Sequence, residues 1–233
     1  MRGTLEILRQ DQWLIVSFPS PQTVFSWAIY GGGKTKTQTV AWYQVKSREL
    51  NHSVNPHDFM REKLLKRGLP DAVGLLTSAD LDGYADVEKN HEALSARCIL
   101  TAGMSNALRV GDSQKEREGP IGTINLLCWL SAPMTERGYL EALSIAVEAR
   151  TAAVLEGNIP SIQSGKPSTG TGTDCVVVAA PADSLKPAPV DYAGKHTLVG
   201  SLIGKTVFEA TSRGIRSWKE KDTKKNKEEV LIA

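Results

Sequence analysis

The stretch STGTGTDC, residues 168–175, alternates hydroxyl groups with glycines and leads into the apolar run 176–180. Small residues let backbone N–H groups face a ligand, and hydroxyl groups add short donors and acceptors. Asp174 stands at the start of the apolar run, where a strand would hold it more rigidly than a loop tip would. The segment predicts an anchored polar site, with a flexible loop as the alternative. The predicted ligand-binding residues here are Thr169, Gly170, Thr171 and Gly172.

A second recognition loop is predicted within TAGMSNALRVGD, residues 101–112, which follows a predicted strand. Arg109 donates through a planar fork and Asn106 both donates and accepts, so together they could bind an amide or a phosphate. Asp112 adds a carboxylate to the same loop. The alternative is that an Arg109–Asp112 pair simply holds the loop closed.

Three consecutive glycines, Gly31, Gly32 and Gly33, stand directly before a Lys-Thr pair, and Gly-Lys-Thr also ends the phosphate-binding P-loop. A P-loop needs a further glycine at position 28, where this chain has Ala28, and the residues that follow favour a strand rather than a helix. The sequence therefore argues against ATP hydrolysis. The glycines indicate either a close approach of the backbone to a flat ligand or a turn between two strands.

Charged residues in two predicted helices are further candidates. Glu148 and Arg150 interrupt a run of small and apolar residues, and a buried charge there must be compensated. The pair therefore either ties the helix to a loop or faces a site. His196 stands at the predicted start of the last helix, unlike the other three histidines, which lie among polar residues. It is interpreted as an acid–base group or as a mere neighbour of a helix cap.

Hydrophobic periodicity predicts the elements that position these residues. Helices are predicted at residues 57–67, from the N-cap Thr135 to Gly157, and from about His196 to Trp218. Strands are predicted at residues 4–8, 12–18, 37–45, 72–77, 84–88, 94–101, 123–131 and 176–180. Regular βαβ alternation is missing, so we expect an α+β fold, a single domain with a mixed β-sheet covered by helices. This domain spans residues 1–218, and residues 219–233 form a charged C-terminal tail.

Composition limits the function classes. The 233 residues carry a formal net charge of +2, which gives no electrostatic reason to expect nucleic acid or a membrane surface as a partner. Cys98, Cys128 and Cys175 lie in apolar runs and are predicted to be core thiols rather than disulfides or metal ligands. No stretch has the length of a membrane span or the features of a signal peptide, so we expect a cytoplasmic protein. The spacing Gly200-x-x-x-Gly204 allows close helix contact, inside the domain or in a homo-oligomer.

Six segments, in order over about residues 24–210, resemble the adenosylcobinamide amidohydrolase family. They are GLLTSADL (74–81), TAGMSNALRVGD (101–112), GTINLLCWLSAPMT (122–135), EARTAAV (148–154), SGKPSTGTGTDCVVVA (164–179) and YAGKHTLVGSLIGKTVFEA (192–210). The resemblance implies hydrolysis of the amide that joins the aminopropanol arm to the corrin ring of adenosylcobinamide, releasing adenosylcobyric acid for cobamide salvage. Within these segments Thr77, Arg150 and Ser164 join the predicted substrate-binding residues.

The implied substrate gives the glycines and neutral polar groups a purpose, because a corrinoid is a wide ring fringed with amides. The corrinoid is then a small-molecule substrate and its cobalt belongs to that substrate, so we expect no cofactor. The sequence also lacks the HExxH and CxxC patterns of metal sites, and no catalytic metal is predicted.

Amide hydrolysis needs a base, donors for the oxyanion and an acid for the leaving nitrogen. The first hypothesis makes Asp174 or Glu148 the base and His196 the proton donor, with Asn106, Arg109 and glycine N–H groups at the oxyanion. The second makes a threonine hydroxyl the nucleophile, with Thr169, Thr171 and Thr173 as candidates. Two other functions stay open: a corrinoid-binding protein without hydrolytic activity, and an amidase for another amide-rich substrate.

Overall fold

A computed structural model describes residues 5–46, 49–50, 53–113, 122–182 and 188–232, with side chains described as far as residue 223. In chain order the elements are β1 (Glu6–Gln10), β2 (Trp13–Ser26), β3 (Gly33–Gln44), α1 (Pro56–Arg67), β4 (Val73–Thr77), a 3-10 helix (Leu81–Gly83), β5 (Ala85–His91), β6 (Leu94–Ala102), β7 (Ala107–Leu108), β8 (Ile124–Leu130), α2 (Glu136–Glu156), β9 (Gly170–Thr171), β10 (Cys175–Pro181) and α3 (Leu198–Ile232). The predicted α+β class is confirmed.

The main sheet is mixed and has eight strands. Its order is β4-β3-β2-β10-β8-β6-β5, and β1 pairs with β2. The strand β10 runs parallel to β8 and antiparallel to β2. The C-terminal strand of the sheet therefore lies in its middle and joins the strands that precede the 3-10 helix to those that follow it. Two short strands, β7 and β9, form a separate ribbon.

The sheet curls until β4 approaches β8. Asn125 Nδ2 in β8 donates to the main-chain oxygen of Leu76 in β4 at 2.8 Å, although three strands separate β4 from β8 in the sheet order. Fully buried side chains such as Trp42, Ile99 and Val177 fill the inside of the curl. Each large apolar side chain buried in this way contributes about 1.5–3 kcal/mol, so this inner core fixes the curvature.

Helices cover the opposite face of the sheet, as predicted. Side chains alternate between the two faces of a strand, so Val176 and Val178 of β10 point away from Val177 and pack in an outer core with α2 and α3. The helix α1 covers the outer face of β3 and β4 with Met60, which packs near Tyr43 in a third cluster. The helices α2 and α3 run side by side in the same direction: the backbone N–H of residue 193 donates to Glu141, and Lys219 donates to the main-chain oxygen of residue 157.

Helix ends follow the signals in the sequence. The side-chain oxygen of Asn55 accepts from two backbone N–H groups in the first turn of α1, and Gly68 ends the helix at φ 77°. Glycine adopts this left-handed conformation without steric cost. Thr135 caps α2, as predicted, by accepting from the backbone N–H of Gly138 at 3.2 Å.

The strand β2 is longer than predicted. The prediction ended this strand at residue 18, but β2 continues to Ser26 through Pro19 and Pro21. Both prolines lie inside a register shift between Ser17 and Gln22, where β2 and β3 are not paired. A proline there removes no ladder hydrogen bond, so it does not end the strand. The start predicted for β1 at residue 4 lies outside the described residues.

The helix α3 is also longer than predicted. It is capped by Thr197, whose hydroxyl accepts from the backbone N–H of Gly200 at 2.9 Å, and it continues to Ile232 through most of the charged tail. Lysine and glutamate favour helices, so helix propensity persists after the apolar stripe ends. None of the helices in the described ranges has a stretch long and apolar enough to span a membrane.

All three cysteines are buried free thiols, as the sequence predicts. Burial raises the pKa of Cys128 to about 12 and that of Cys175 to about 12. Both groups therefore stay protonated at neutral pH and behave as small apolar core residues.

A polar cluster around Glu49 fixes α1 to the sheet. Its carboxylate accepts from Lys63 of α1 at 2.8 Å, from the Tyr43 hydroxyl at 2.9 Å and from the Gln12 amide at 3.0 Å. Burial by itself would raise the pKa of Glu49, but these hydrogen bonds and one from the backbone N–H of Lys46 outweigh burial and lower the pKa to about 2.

This cluster predicts a pH-dependent stability. Because the pKa of Glu49 is lower in the folded protein than its ordinary value of 4.5, the carboxylate stabilises the fold fully above about pH 4.5 and progressively less as pH falls toward 2. We expect Glu49→Gln to lower the free energy of unfolding at pH 7 by roughly 1–2 kcal/mol, a value reduced by partial solvent access, and to flatten its pH dependence in this window. Urea unfolding at several pH values measures this. Glu62→Gln, which removes an exposed helix pair with Lys66, is the control, and an equal effect in both variants would contradict the prediction.

Candidate active site

One end of the curled sheet gathers most of the predicted site residues. Asp174 immediately precedes β10, and the residues that pair nearest to it are Ser26 at the end of β2 and Asn125 at the start of β8. The last residue of β6, Ala102, pairs with Ile124 of β8. The loops at 27–32, 103–106, 122–123 and 168–174 therefore meet at this end.

The Asp174 carboxylate is the centre of the site. Its Oδ1 accepts from the Thr171 hydroxyl at 2.5 Å and from the backbone N–H of Ile124 at 2.9 Å, and its Oδ2 accepts from the backbone N–H of Thr171 at 2.9 Å and from Arg150. The Arg150 and Asp174 side chains are only 11% and 7% exposed. A buried ion pair needs such additional hydrogen bonds to offset desolvation. The pair ties α2 to the threonine-rich turn, one of the two roles expected for Arg150.

The first glycine of the turn makes room for this carboxylate. A Cβ atom on Gly170 would overlap Asp174 Oδ2 and would lie 3.4 Å from Arg150 Nη1. A Cβ atom on Gly172 would make only ordinary contacts, at 3.5 Å from Leu108 and 3.7 Å from Asn106 Nδ2. Glycine is therefore required at position 170 to make room for the carboxylate, whereas position 172 has space for a side chain.

The threonine turn and the Asn–Arg turn form one unit through the β7–β9 ribbon. The Thr169 hydroxyl accepts from the backbone N–H of Val110 at 2.8 Å, and the Arg109 guanidinium donates to the main-chain oxygen of Pro167 at 2.7 Å. These bonds join segments about 60 positions apart in the chain. The structure thus brings Asn106, Arg109, Thr169 and Thr171 together, as the sequence interpretation required.

Asp112 stabilises the Asn–Arg turn from the side. It accepts from the Ser161 hydroxyl at 2.5 Å and from the backbone N–H of Arg109 at 2.8 Å. The Ser161 hydroxyl, then the Ser164 side chain and the Arg109 backbone, lower the pKa of Asp112. The loop is held by Asp112 contacts with the Arg109 backbone rather than with the guanidinium, and Ser164 belongs to this support.

Several buried polar atoms near the turn have no hydrogen-bond partner among the described residues. They are Asn106 Oδ1, Arg150 Nε, Gln163 Oε1 and Ser168 Oγ. Buried polar groups are nearly always paired in folded proteins, so each exception needs an explanation. All four atoms are closed off from solvent, so a ligand at the surface does not reach them, and nothing in the structure explains their lack of partners.

The other two predicted threonines have structural contacts. The Thr173 hydroxyl donates to the main-chain oxygen of Gly122 at 3.2 Å, and the main-chain oxygen of Thr173 accepts from the Thr123 hydroxyl at 2.8 Å. Thr77 is buried at the end of β4, where its hydroxyl accepts from the backbone N–H of Ala79 at 3.0 Å. Of the three threonines proposed as nucleophiles, Thr171 is the one whose hydroxyl contacts a carboxylate.

The glycine triple forms the turn between β2 and β3. Gly31 has φ 68° and lies against the main-chain oxygen of Ala72, and a Cβ atom on Gly32 would lie 2.5 Å from the main-chain oxygen of Ala28. Gly33 has φ 84° and no atom within 4 Å of such a Cβ. Gly31 and Gly33 adopt a positive φ and Gly32 lies close to another backbone, so the turn interpretation accounts for all three glycines, and substrate contact by the triple stays a prediction.

Trp27, beside this turn, was missed by the sequence interpretation. Its indole N–H donates to the main-chain oxygen of Asp174 at 2.7 Å, and the residue is 49% exposed. No local signal in the sequence indicates this contact, which joins two residues far apart in the chain.

Glu148 and His196 lie apart from Asp174. Residues two positions apart on a helix point in nearly opposite directions, so Arg150 reaches Asp174 whereas Glu148 faces α3 and pairs with Lys195 at 2.5 Å. Glu148 lines a groove of about 740 Å³ between α2 and α3. His196 is exposed and has no hydrogen-bond partner within the described ranges. The structure therefore does not bring these two residues to the threonine turn.

A smaller cavity of about 230 Å³ lies beside the Asn–Arg turn and is lined by Gly103, Ser105, Asp80, Trp218 and Lys221. Neither cavity is lined by the threonine turn itself. No cluster of three or more His, Cys, Asp or Glu side chains in the described ranges is placed to hold a metal ion.

This α+β protein thus brings the Thr171 hydroxyl, the Asp174 carboxylate and the Arg150 guanidinium into contact. These are groups that acyl transfer from an amide can use. The chain belongs to the adenosylcobinamide amidohydrolase (CbiZ) family, whose model matches residues 1–223. It is therefore assigned to a family of hydrolases that act on an amide bond, and the resemblance noted in the sequence is confirmed.

Two relatives illustrate the match. The chain is 29% identical over 193 residues to adenosylcobinamide amidohydrolase of Methanosarcina mazei, an alignment that covers 80% of this chain and 84% of that protein. It is 30% identical over 187 residues to an uncharacterized protein of Methanocaldococcus jannaschii, covering 67% of this chain and 72% of that protein.

Proposed function

We propose that this protein hydrolyses the amide between the aminopropanol arm and the corrin ring of adenosylcobinamide, giving adenosylcobyric acid and aminopropanol. Family membership supports the substrate class. The observation that carries the chemistry is the contact of the Thr171 hydroxyl with Asp174, whose other oxygen is held by Arg150. Nucleophile, proton acceptor and orienting group are thus present in one array.

In the first step Thr171 Oγ attacks the carbonyl carbon of the amide while its proton passes to Asp174 Oδ1, which it already contacts. The C–N bond then breaks, and the amine leaves with the proton that Asp174 received. An ester between Thr171 and the corrin side chain results. Splitting the reaction into two steps avoids direct attack of water on an unreactive amide.

In the second step water attacks this ester. Asp174 accepts a proton from the water and returns it to Thr171 Oγ as the C–O bond to Thr171 breaks. The carboxylic acid of adenosylcobyric acid is released and the hydroxyl is restored. Arg150 acts in both steps as an orienting group, because it binds Asp174 Oδ2 and leaves Oδ1 directed at the hydroxyl.

Two donors beside Thr171 suit the oxyanion. The backbone N–H of Gly172 makes no hydrogen bond to the described residues, and the Asn106 amide nitrogen lies close to the same glycine. Donors that are already in place when charge develops lower the barrier most. Because the Arg109 guanidinium donates to the main-chain oxygen of Pro167, we do not assign it to the oxyanion. We assign it instead to binding a peripheral amide of the ring. The roles first considered for Glu148 and His196 would require them to reach a site that they do not contact.

The test is a product assay on the purified full chain. Adenosylcobinamide is expected to yield aminopropanol and adenosylcobyric acid in equal amounts, measured by amine derivatisation and liquid chromatography. Tight corrinoid binding without aminopropanol release would identify a binding protein and overturn the proposal. Equal rates on simple N-alkyl amides would identify a general amidase and would equally overturn it.

A further inference from the structure

The exposed indole of Trp27 lies beside Asp174, the proposed proton acceptor. Its N–H is bonded to the main-chain oxygen of Asp174 at 2.7 Å, which fixes the orientation of the ring at the turn, yet 49% of the residue is exposed. A large aromatic surface left open beside buried polar atoms is typical of a ligand contact rather than of a core.

Other exposed apolar side chains stand on the loops that meet here. Val110 is 82% exposed and its backbone N–H binds the Thr169 hydroxyl, and Ile162 is 40% exposed and its backbone N–H binds the main-chain oxygen of Ala107. With Ile29, 39% exposed in the glycine turn, they add exposed apolar surface to the loops that meet at this end of the molecule.

Exposed apolar surface beside a polar turn suits a ligand that is flat and apolar in its centre and polar at its edge. Aromatic side chains pack face to face on conjugated rings, and one such contact contributes about 1–3 kcal/mol in complexes of aromatic residues with nucleic acid bases.

We propose that Trp27 is the platform on which the corrin macrocycle itself packs, and that this contact gives the site its preference for corrinoids over simple amides. The inference rests on the proposed function for the identity of the ring. It adds a specificity-determining residue that touches the unreactive part of the substrate. Binding energy from that part raises affinity for the whole substrate and places the reacting amide over Thr171.

Equilibrium binding tests this without turnover. Trp27→Ala is expected to weaken the binding of cyanocobinamide and adenosylcobinamide to the same extent, by about 5- to 100-fold in Kd, and Trp27→Phe by less because a ring is retained. Leu140→Ala, at a residue 63% exposed on α2, is the control and should leave Kd unchanged.

The result separates the two proposals. An unchanged Kd in Trp27→Ala overturns the inference, as does a loss confined to the adenosylated ligand, which would place the indole against adenine instead of the macrocycle. Trp27-dependent binding by a protein that releases no aminopropanol would support the inference while the proposed function fails. In an active enzyme, KM should rise in Trp27→Ala far more than kcat falls, since the contact is made in both ground and transition states.

Discussion

Thr171→Val should lower kcat by at least about 10³-fold, because it removes the proposed nucleophile while preserving the size of the side chain. Asp174 keeps its contacts with Arg150 and with two backbone N–H groups in this variant, so the turn should stay folded. Circular dichroism and urea unfolding check the fold, and the product assay measures kcat. Thr171→Ser, which restores a hydroxyl, should recover a large part of the rate.

Matched variants distinguish this mechanism from the first hypothesis. Thr173→Val removes a neighbouring hydroxyl that contacts a main-chain oxygen, and Glu148→Gln and His196→Gln alter exposed groups; each should change kcat by less than about threefold. A Thr171→Val enzyme with undiminished kcat would remove the threonine from the chemistry. Loss of turnover in His196→Gln would instead support the first hypothesis, in which His196 is the proton donor. Asp174→Asn is less informative, because it sets an NH₂ group among four donors and perturbs the turn itself.

Gly170→Ala should remove activity through structure rather than through chemistry. The added methyl group overlaps Asp174 Oδ2, so the carboxylate must leave Arg150 and the Thr171 hydroxyl. Separating a buried ion pair in this way should lower the free energy of unfolding by about 2–4 kcal/mol. Product formation should fall below about 1% of the wild-type rate, since nucleophile and acceptor lose their alignment.

Gly172→Ala is the paired control two positions further on. Its methyl group meets no atom closer than 3.5 Å, so we expect the free energy of unfolding to change by less than about 1 kcal/mol. The backbone N–H proposed for the oxyanion is retained, and kcat should remain within about tenfold of wild type. Equal loss of stability in the two variants would show that Gly170 is not needed for the position of Asp174.

Local signals in the sequence predicted most of the fold. Thr135 and Gly68 mark helix ends in the sequence and in the structure because capping depends on one residue and its immediate neighbours. The continuation of β2 past Pro19 was not predicted, because a proline is harmless only where the register shifts, and the register is a property of two strands. The strand order was not predicted for the same reason, because no local pattern indicates that β10 inserts between β2 and β8.

The site was predicted as a set of segments but not as an array. The glycine–threonine motif and the Asn–Arg turn were identified by residue type, and the structure places them together. That Arg150 and Glu148 face opposite ways follows from helix geometry and could have been inferred from their spacing. Trp27 was out of reach, because its contact with Asp174 joins residues 147 positions apart.

The central place of β10 has a consequence for biosynthesis. Strands β1 to β4 and strands β5, β6 and β8 have no common sheet partner until β10 pairs with both groups. A nascent chain on the ribosome therefore holds two incomplete half-sheets until about residue 181 has emerged from the exit tunnel. Because Asp174 is synthesised immediately before this strand, zippering of the halves and assembly of the catalytic array are one late, long-range folding event.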